Sequence, residues 1–171
     1  GGPGRALVLG GGAIGLGAAL CLTAQGVTDV AIVEALAARR AYLEDHCGQE
    51  ALAAATEVSA YDIVVDAVGV SATRKSASAM VRPGGVIVHI GLGDSQAGLD
   101  IRRITLQEIS VLGIYTYTAQ DFRDTCAALF DGRLGPLDWV EERPLSEGAQ
   151  AFADIRAGRV AAPKIILKPD I

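Results

Sequence analysis

The sequence predicts an α/β fold built on a mainly parallel, doubly wound sheet with helices on both faces, and three observations predict it. Short apolar runs alternate with helix-period segments along the chain. A glycine-rich turn joins the first apolar run to the first helix, and an acidic residue closes the second run. Together these are the opening of a Rossmann-type dinucleotide-binding domain.

The elements follow in order. Residues 6–9 form a short strand of the buried kind that runs into glycines. Residues 13–25 are small and aliphatic, a good helix that Gly26 stops. A second strand covers 30–33, and a charged amphipathic helix covers 37–47. Then come a strand over 62–68, a helix over 72–81 and a strand over 86–90, with Pro83-Gly84-Gly85 read as the tight turn before the last. A strand over 109–115, helices over 119–130 and 147–156, and a closing strand over 164–167 complete the chain. Residues 48–60 fit poorly: a third strand and a helix belong there, yet the segment is short and alanine-rich. The third strand is therefore read as degenerate, or that edge of the sheet as pruned.

Size and composition narrow the function. A chain of 171 residues forms one domain with one filled core. Its net charge of −5, with acids and bases interspersed, argues against nucleic acid as a partner. The apolar runs are broken by glycines and charges, so none reads as a membrane span, and the start has no secretory pattern. Cys21, Cys47 and Cys126 are odd in number and widely spaced, as in a reduced, cytoplasmic protein. His46 and His89 have no partner at metal-ligand spacing, so no metal site and no catalytic residue is assigned. Met80 is the single methionine, and Gly1-Gly2-Pro3-Gly4 leads at once into a strand, so the chain reads as part of a longer protein.

The chemistry sits in Gly10-Gly11-Gly12-Ala13-Ile14-Gly15, a GxGxxG between strand and helix. Gly10 makes the tight turn, Gly12 admits a pyrophosphate close to the backbone, and Gly15 lets helix and strand pack closely. The helix start at Ala13 and Ile14 offers free N–H groups and partial positive charge to phosphate. Three glycines alone could be only a turn. Glu34, 24 positions after Gly10 at the end of the second strand, supplies the second half of the fingerprint. A carboxylate there accepts the adenosine ribose hydroxyls and repels a 2′-phosphate, which favours NAD(H) over NADP(H). Arg39 and Arg40 nearby leave room for the opposite preference.

Around these residues the sequence resembles the coenzyme domain of the zinc-dependent medium-chain alcohol and polyol dehydrogenases. The resemblance runs through Leu7-Val8-Leu9-Gly10-Gly11-Gly12-Ala13-Ile14-Gly15, Val65-Asp66-Ala67-Val68-Gly69 and Arg82-Pro83-Gly84-Gly85-Val86-Ile87-Val88 to Gly91. It ends with Pro144-Leu145-Ser146-Glu147-Gly148-Ala149-Gln150-Ala151-Phe152 and Pro163-Lys164-Ile165-Ile166-Leu167. By that resemblance Arg39 touches the adenosine ribose, and Ala67, Val68 and Gly69 line the adenine and ribose path. Ile90, Gly91 and Leu92, with Ile114, Tyr115 and Thr116, are the backbone stretches that hold the nicotinamide carboxamide, and Lys164 lies near the pyrophosphate.

The resemblance also implies a missing N-terminal catalytic domain that carries the zinc, toward which part of residues 116–171 returns. It implies hydride transfer between an alcohol and the nicotinamide, and a homodimer joined through the edge strand near 109–115. The chain alone then binds cofactor without turnover. Other readings compete. A short-chain dehydrogenase needs a Tyr and a Lys one helical turn apart, which neither Tyr115 nor Tyr117 has. A methyltransferase usually lacks the third spaced glycine. A module that senses NAD(H) to regulate a partner stays open on sequence alone.

Overall fold

In a computed structural model, which describes residues 4–169, six strands form one parallel sheet in the order β3-β2-β1-β4-β5-β6. The strands are β1 (Arg5–Leu9), β2 (Asp29–Val33), β3 (Glu50–Leu52), β4 (Tyr61–Asp66), β5 (Val81–His89) and β6 (Ser110–Gly113). Right-handed crossovers are the rule for parallel strands, and this order puts successive connections on both faces of the sheet. Helices α1 (Ala13–Ala24), α2 (Ala37–Cys47), α3 (Ser71–Met80), α4 (Ile101–Leu106) and α5 (Ala119–Phe130) supply the connections.

The central strands are apolar because both faces are covered. On one face Val8, Ile32 and Val65 pack with Leu16 and Ala19 of α1 and Leu43 of α2. On the other, Leu7, Leu9, Val64 and Ile87 pack with Ala77 and Met80 of α3. No helix among the described residues is long and apolar enough to cross a membrane.

The structure bears out a degenerate third strand and corrects other expectations. The third strand exists but is three residues long, and residues 53–60 connect it to β4 without a helix. Pro83-Gly84-Gly85 is no connection between elements. Tyr61 pairs with Val81 and Ile63 with Val86, so these residues bulge out within one strand, β5. The bulge is held by Arg82, whose Nε donates to Asp62 at 2.6 Å, and by the Gly84 N–H, which donates to the Gln107 carbonyl at 2.8 Å. The strand at the C-terminal end does not close the main sheet. It is β8 (Lys164–Lys168), which pairs in parallel with β7 (Val140–Pro144) in a separate two-stranded sheet. A 3₁₀ turn over Leu145–Glu147 and helix α6 (Gly148–Arg156) join the two strands. Asp154 of α6 lies 2.7 Å from both Arg143 of β7 and Arg159, and these hold its carboxyl well below the usual carboxylate range.

Helix α4 has no counterpart in the sequence reading. Asp100 caps it by accepting the Arg103 N–H at 2.9 Å. From the first turn Arg103 reaches three elements at once. Its Nε donates to the Ser78 carbonyl at 2.6 Å, and its Nη2 donates to the Val81 carbonyl at 2.9 Å and the Ser59 hydroxyl at 2.8 Å. The cation therefore ties the end of α3, the start of β5 and the 53–60 connection together. Replacing Arg103 with Met strands these acceptors and is expected to cost about 2 kcal/mol in urea unfolding. The neighbouring exposed Arg102→Met is expected to cost less than about 0.5 kcal/mol. Equal costs for the two would show that the clamp contributes nothing.

Candidate functional site

The site begins with the register of the sheet. Leu9 pairs with Val33 on one side and Asp66 on the other, Asp66 pairs with His89, and His89 pairs with Gly113. The carboxyl ends of five strands are therefore level. One residue further on, each chain donates its N–H to the last carbonyl of a neighbouring strand. Glu34 donates to Leu52 at 2.9 Å, Gly10 to Val33 at 2.8 Å and Ala67 to Leu9 at 3.0 Å. Ile90 donates to Asp66 at 2.9 Å and Ile114 to His89 at 2.9 Å. Residues from all five predicted stretches thus stand side by side along one edge, at the place where open α/β sheets bind ligands.

The turn after β1 cannot carry side chains. A Cβ on Gly15 would stand 1.8 Å from the Gly10 carbonyl oxygen, and one on Gly10, at φ +101°, would stand 2.5 Å from Val68 Cγ2. Gly12 is different: a Cβ there would meet nothing within 4 Å. It is the N-cap of α1, and no side chain caps it and no acidic residue sits in the first turn. The helix therefore opens with unsatisfied N–H groups beside open space at Gly12, Ala13 and Ile14, which is the local chemistry of an anion site. Lys164 shares a cleft of about 290 Å³ with Ala13, Phe152 and Ile155.

Glu34 is fixed before any ligand arrives. Its Oε2 accepts the Gly11 N–H at 2.9 Å and its Oε1 accepts the Leu36 N–H at 2.8 Å. Each oxygen keeps a lone pair for a further donor. Arg39 lies apart from this carboxylate. Its Nε and Nη2 donate to the carbonyls of Ala161 and Val160 at 3.2 and 2.9 Å, which ties α2 to the segment before β8. Arg40 is the cation beside the strand end, with Nη1 at 2.7 Å from the Glu34 carbonyl and 2.9 Å from that of Ala35.

Ala67, Val68 and Gly69 form the turn after β4, and Ile90, Gly91 and Leu92 the turn after β5. The two touch through backbone: a Cβ on Gly69, at φ +72°, would stand 1.9 Å from the Gly91 carbonyl oxygen, and one on Gly91 would stand 2.1 Å from the Val68 carbonyl carbon. Leu92 and Tyr115 are 81% and 88% exposed, Ile14 and Ile114 are also exposed, and so is Thr116.

Beneath these turns lies a polar network that the sequence reading did not single out. Asp66 is fully buried. Its Oδ1 accepts the N–H groups of Val68 and Gly69 at 3.1 and 2.8 Å, and its Oδ2 accepts the Thr73 hydroxyl at 3.0 Å. His89 Nε2 lies 3.6 Å from the same carboxylate and 3.5 Å from Arg74 Nη1. Arg74 in turn pairs with Asp94. The backbone N–H groups of Gln96 and Ser71, then Arg74, hold the Asp94 carboxyl below its usual range. A buried Asp on a strand beside glycine was the visible signal, but its partners are scattered over 28 positions and only the fold collects them. His46, by contrast, stacks on Tyr42 with ring centroids 4.5 Å apart.

A cavity of about 410 Å³ is lined by Cys21, Gln25, Asp124 and Leu134. It lies at the far end of α1 from the phosphate turn, roughly 18 Å along a 12-residue helix. It is not continuous with the strand ends. Among the described residues no group of three or more His, Cys, Asp or Glu side chains comes together as a metal site.

Comparison with known proteins fits this geometry. A family model described as zinc-binding dehydrogenase matches residues 13–131. D-xylulose reductase A of Aspergillus oryzae is 27% identical over 99 residues, which cover 57% of this chain and 28% of that protein. Acetophenone reductase from Geotrichum candidum, solved in complex with NAD, superposes with a TM-score of 0.81 at 22% identity, covering 93% of this chain and 47% of that one. A Sinorhizobium meliloti structure described as a zinc-binding dehydrogenase bound to NADP gives a TM-score of 0.76 at 21% identity, covering 88% and 48%. The chain thus spans about half the length of the solved structures it matches.

The two glycines of the turn separate packing from ligand access. Gly15→Ala forces a methyl into the Gly10 carbonyl and is expected to cost on the order of 3 kcal/mol. Gly12→Ala fills open space, so it is expected to cost no more than about 1 kcal/mol, the preference for Gly over Ala at an N-cap. Urea unfolding of both variants checks this, and a Gly12→Ala protein as unstable as Gly15→Ala would refute the assignment of open space.

Proposed function

Because the chain belongs to the zinc-binding dehydrogenase family, we propose that it is the NAD(H)-holding half of an alcohol or polyol dehydrogenase, with the cofactor laid along the carboxyl edge of the sheet. The observation that carries this reading is the level row of Glu34, Gly10, Ala67, Ile90 and Ile114, which supports a ligand lying along that edge. In this reading the N–H groups at the start of α1 hold the pyrophosphate, with Lys164 across the cleft adding charge. Glu34 accepts the adenosine ribose hydroxyls on the lone pairs left by Gly11 and Leu36. Ala67, Val68 and Gly69 line the path to the ribose. The backbone of Ile90, Gly91, Leu92, Ile114, Tyr115 and Thr116 faces the carboxamide. Arg39 would offer the ribose Nη1 and the second N–H of Nη2 while Nε and the first stay on Ala161 and Val160.

The preference is for NAD(H). Two backbone N–H groups orient the Glu34 carboxylate, and a 2′-phosphate beside it would meet a fixed negative charge. Arg40 beside the strand end commits Nη1 to the carbonyls of Glu34 and Ala35.

The nicotinamide, when bound, supplies the hydride donor or acceptor for an alcohol substrate. The residues of this chain contribute binding and orientation. The described residues do not make a zinc site, so no zinc step is derived for them, and in this reading the zinc belongs to a catalytic half outside the chain. The exposed apolar residues Leu145, Phe152 and Ile155 of the α6 unit support a docking role toward that half. The three cysteines are free, which supports a cytoplasmic setting.

A homodimer through β6 belongs to the same proposal. The strand ends the sheet, is exposed along its length and presents Val111 and Leu112, a pairing hazard unless a partner covers it.

Two measurements test these readings. Calorimetric titration should show NADH binding more tightly than NADPH. Glu34→Ala should weaken NADH at least about tenfold, roughly the loss of one charge-assisted hydrogen bond, and narrow the gap between the two nucleotides. No binding of NADH by a folded chain, or an unchanged affinity in Glu34→Ala, would overturn the cofactor site. In sedimentation the chain should run as a dimer and Leu112→Lys as a monomer. A monomeric parent chain would sink the β6 interface.

A further inference from the structure

We propose that Arg74 is a positioning residue for the nicotinamide half of the cofactor, acting through the loop that follows β5. The inference rests on the NAD(H) reading above and adds to it a residue that would act on the ligand path through the backbone it holds, at Gly69 and beyond.

The loop from Ile90 to Asp100 begins with the residues proposed to face the carboxamide. The N–H groups of Ile90 and Gly91 both donate to the Asp66 carbonyl, at 2.9 and 3.0 Å. Among the described residues this leaves the Leu92 N–H and the carbonyls of Ile90 and Leu92 without partners, and these are the groups a ligand would read. Their placement depends on what anchors the chain immediately after them. Gly93 donates to the Val68 carbonyl and Asp94 to the Gly69 carbonyl, each at 3.0 Å. The Gly69 carbonyl also accepts Arg74 Nη1 at 2.8 Å, and Arg74 Nη2 pairs with the Asp94 carboxylate and donates to the Gln96 carbonyl at 2.5 Å. The result is a closed ring: Gly69 to Arg74, Arg74 to Asp94, and Asp94 back to Gly69.

The ring clasps the start of the loop to the turn after β4, and its guanidinium is nine-tenths buried, with a side-chain exposure of 10%. A buried cation stays only where its partners are fixed, so the ring holds itself in one arrangement. After Ile90, whose side chain packs against the core, glycines at 91 and 93 and the exposed Leu92 give the loop no further side-chain anchor before Asp94. Without the cation the Asp94 carboxylate keeps only the Ser71 and Gln96 N–H groups and the Gln96 carbonyl loses its donor, which loosens the clasp behind residues 90–92 at the spot where the carboxamide would sit. The phosphate turn and Glu34 share no hydrogen bond with the ring among the described residues, and Gly69 enters it through a carbonyl whose own turn stays fixed by Asp66, so the main adenosine contacts are kept.

The test compares two probes on the 171-residue chain: NADH, and ADP-ribose, which has everything except the nicotinamide. The unaltered chain is expected to prefer NADH. Arg74→Met is expected to weaken NADH about tenfold while ADP-ribose changes by no more than about twofold. Asp94→Asn, which opens the same ring from its surface side, should shift the ratio in the same direction and serves if Arg74→Met does not fold. Equal weakening of both probes marks Arg74 as a general structural residue and overturns the proposal, as does an unchanged ratio. An unaltered chain that binds ADP-ribose as tightly as NADH overturns it too. An unaltered chain that binds neither probe refutes the cofactor reading itself.

Discussion

The constraint on which this molecule depends is the level alignment of its parallel strands. Parallel partners in one register finish together, so the backbone of every turn leaves the sheet at the same edge. Each first residue past a strand still owns a donor that must be satisfied, and the neighbour's last carbonyl is the group in reach. The N–H groups thus stitch the turns into a row before any side chain is considered. Crowding follows from the same fact. Turns set one strand spacing apart, about 4.8 Å, meet main chain against main chain, and Gly10, Gly15, Gly69 and Gly91 occupy the places where a methyl has no room.

Charge is distributed to keep that row rigid without filling it. Asp66, wholly buried, spends its carboxylate on the two N–H groups and one hydroxyl of the turn that it begins. Glu34 does the same for the turns at Gly11 and Leu36, but stays partly open to solvent. The two carboxylates use one device with opposite outcomes: the first is consumed by the fold, the second is oriented by it and left with capacity to spare. Electrostatics here sets geometry first and affinity second.

Much of this was legible in the sequence because local and global preferences agree. Residues 13–24 are good helix formers, 6–9 and 30–33 are good buried strands, and Gly10, Gly12 and Gly15 are each needed by the turn between them. Legibility failed where one local signal serves two outcomes. Pro83-Gly84-Gly85 has the chemistry of a turn, and Gly84 does take a positive φ of 68°, but the pairing of Val81 with Tyr61 makes it a bulge inside a strand. Short or charged elements escaped for a different reason. Helix α4 has six residues, and β7 reads Val-Glu-Glu-Arg-Pro, apolar at neither period. Strand β8 was visible, whereas its partner was not, so its sheet could not be named. Arg74 and Asp94 looked like two more surface charges, because burial of an ion depends on acceptors that only the tertiary fold brings together.

The connection over residues 53–60 carries a consequence of its own. It leaves the sheet edge at β3 and must pass β2 and β1 to reach β4, in a span where related folds often place a helix. Eight extended residues reach at most about 28 Å, enough for three strand spacings, and the path is pinned from Glu57 onward. The fixed points are Arg5 on Glu57 and the bonds from Ser59 and Ala60 to the carbonyls of Ala79 and Met80. Residues 53 and 54, exposed and ahead of all three, form a natural port for protein engineering. A peptide tag or a small reporter domain grafted there would ride on the sheet's rim, on the side away from β6. That rim is itself part of the carboxyl edge, because Leu52 pairs with Val33 and its carbonyl accepts the Glu34 N–H, so a reporter grafted there would stand beside the adenosine end of the proposed cofactor path and sense its occupation.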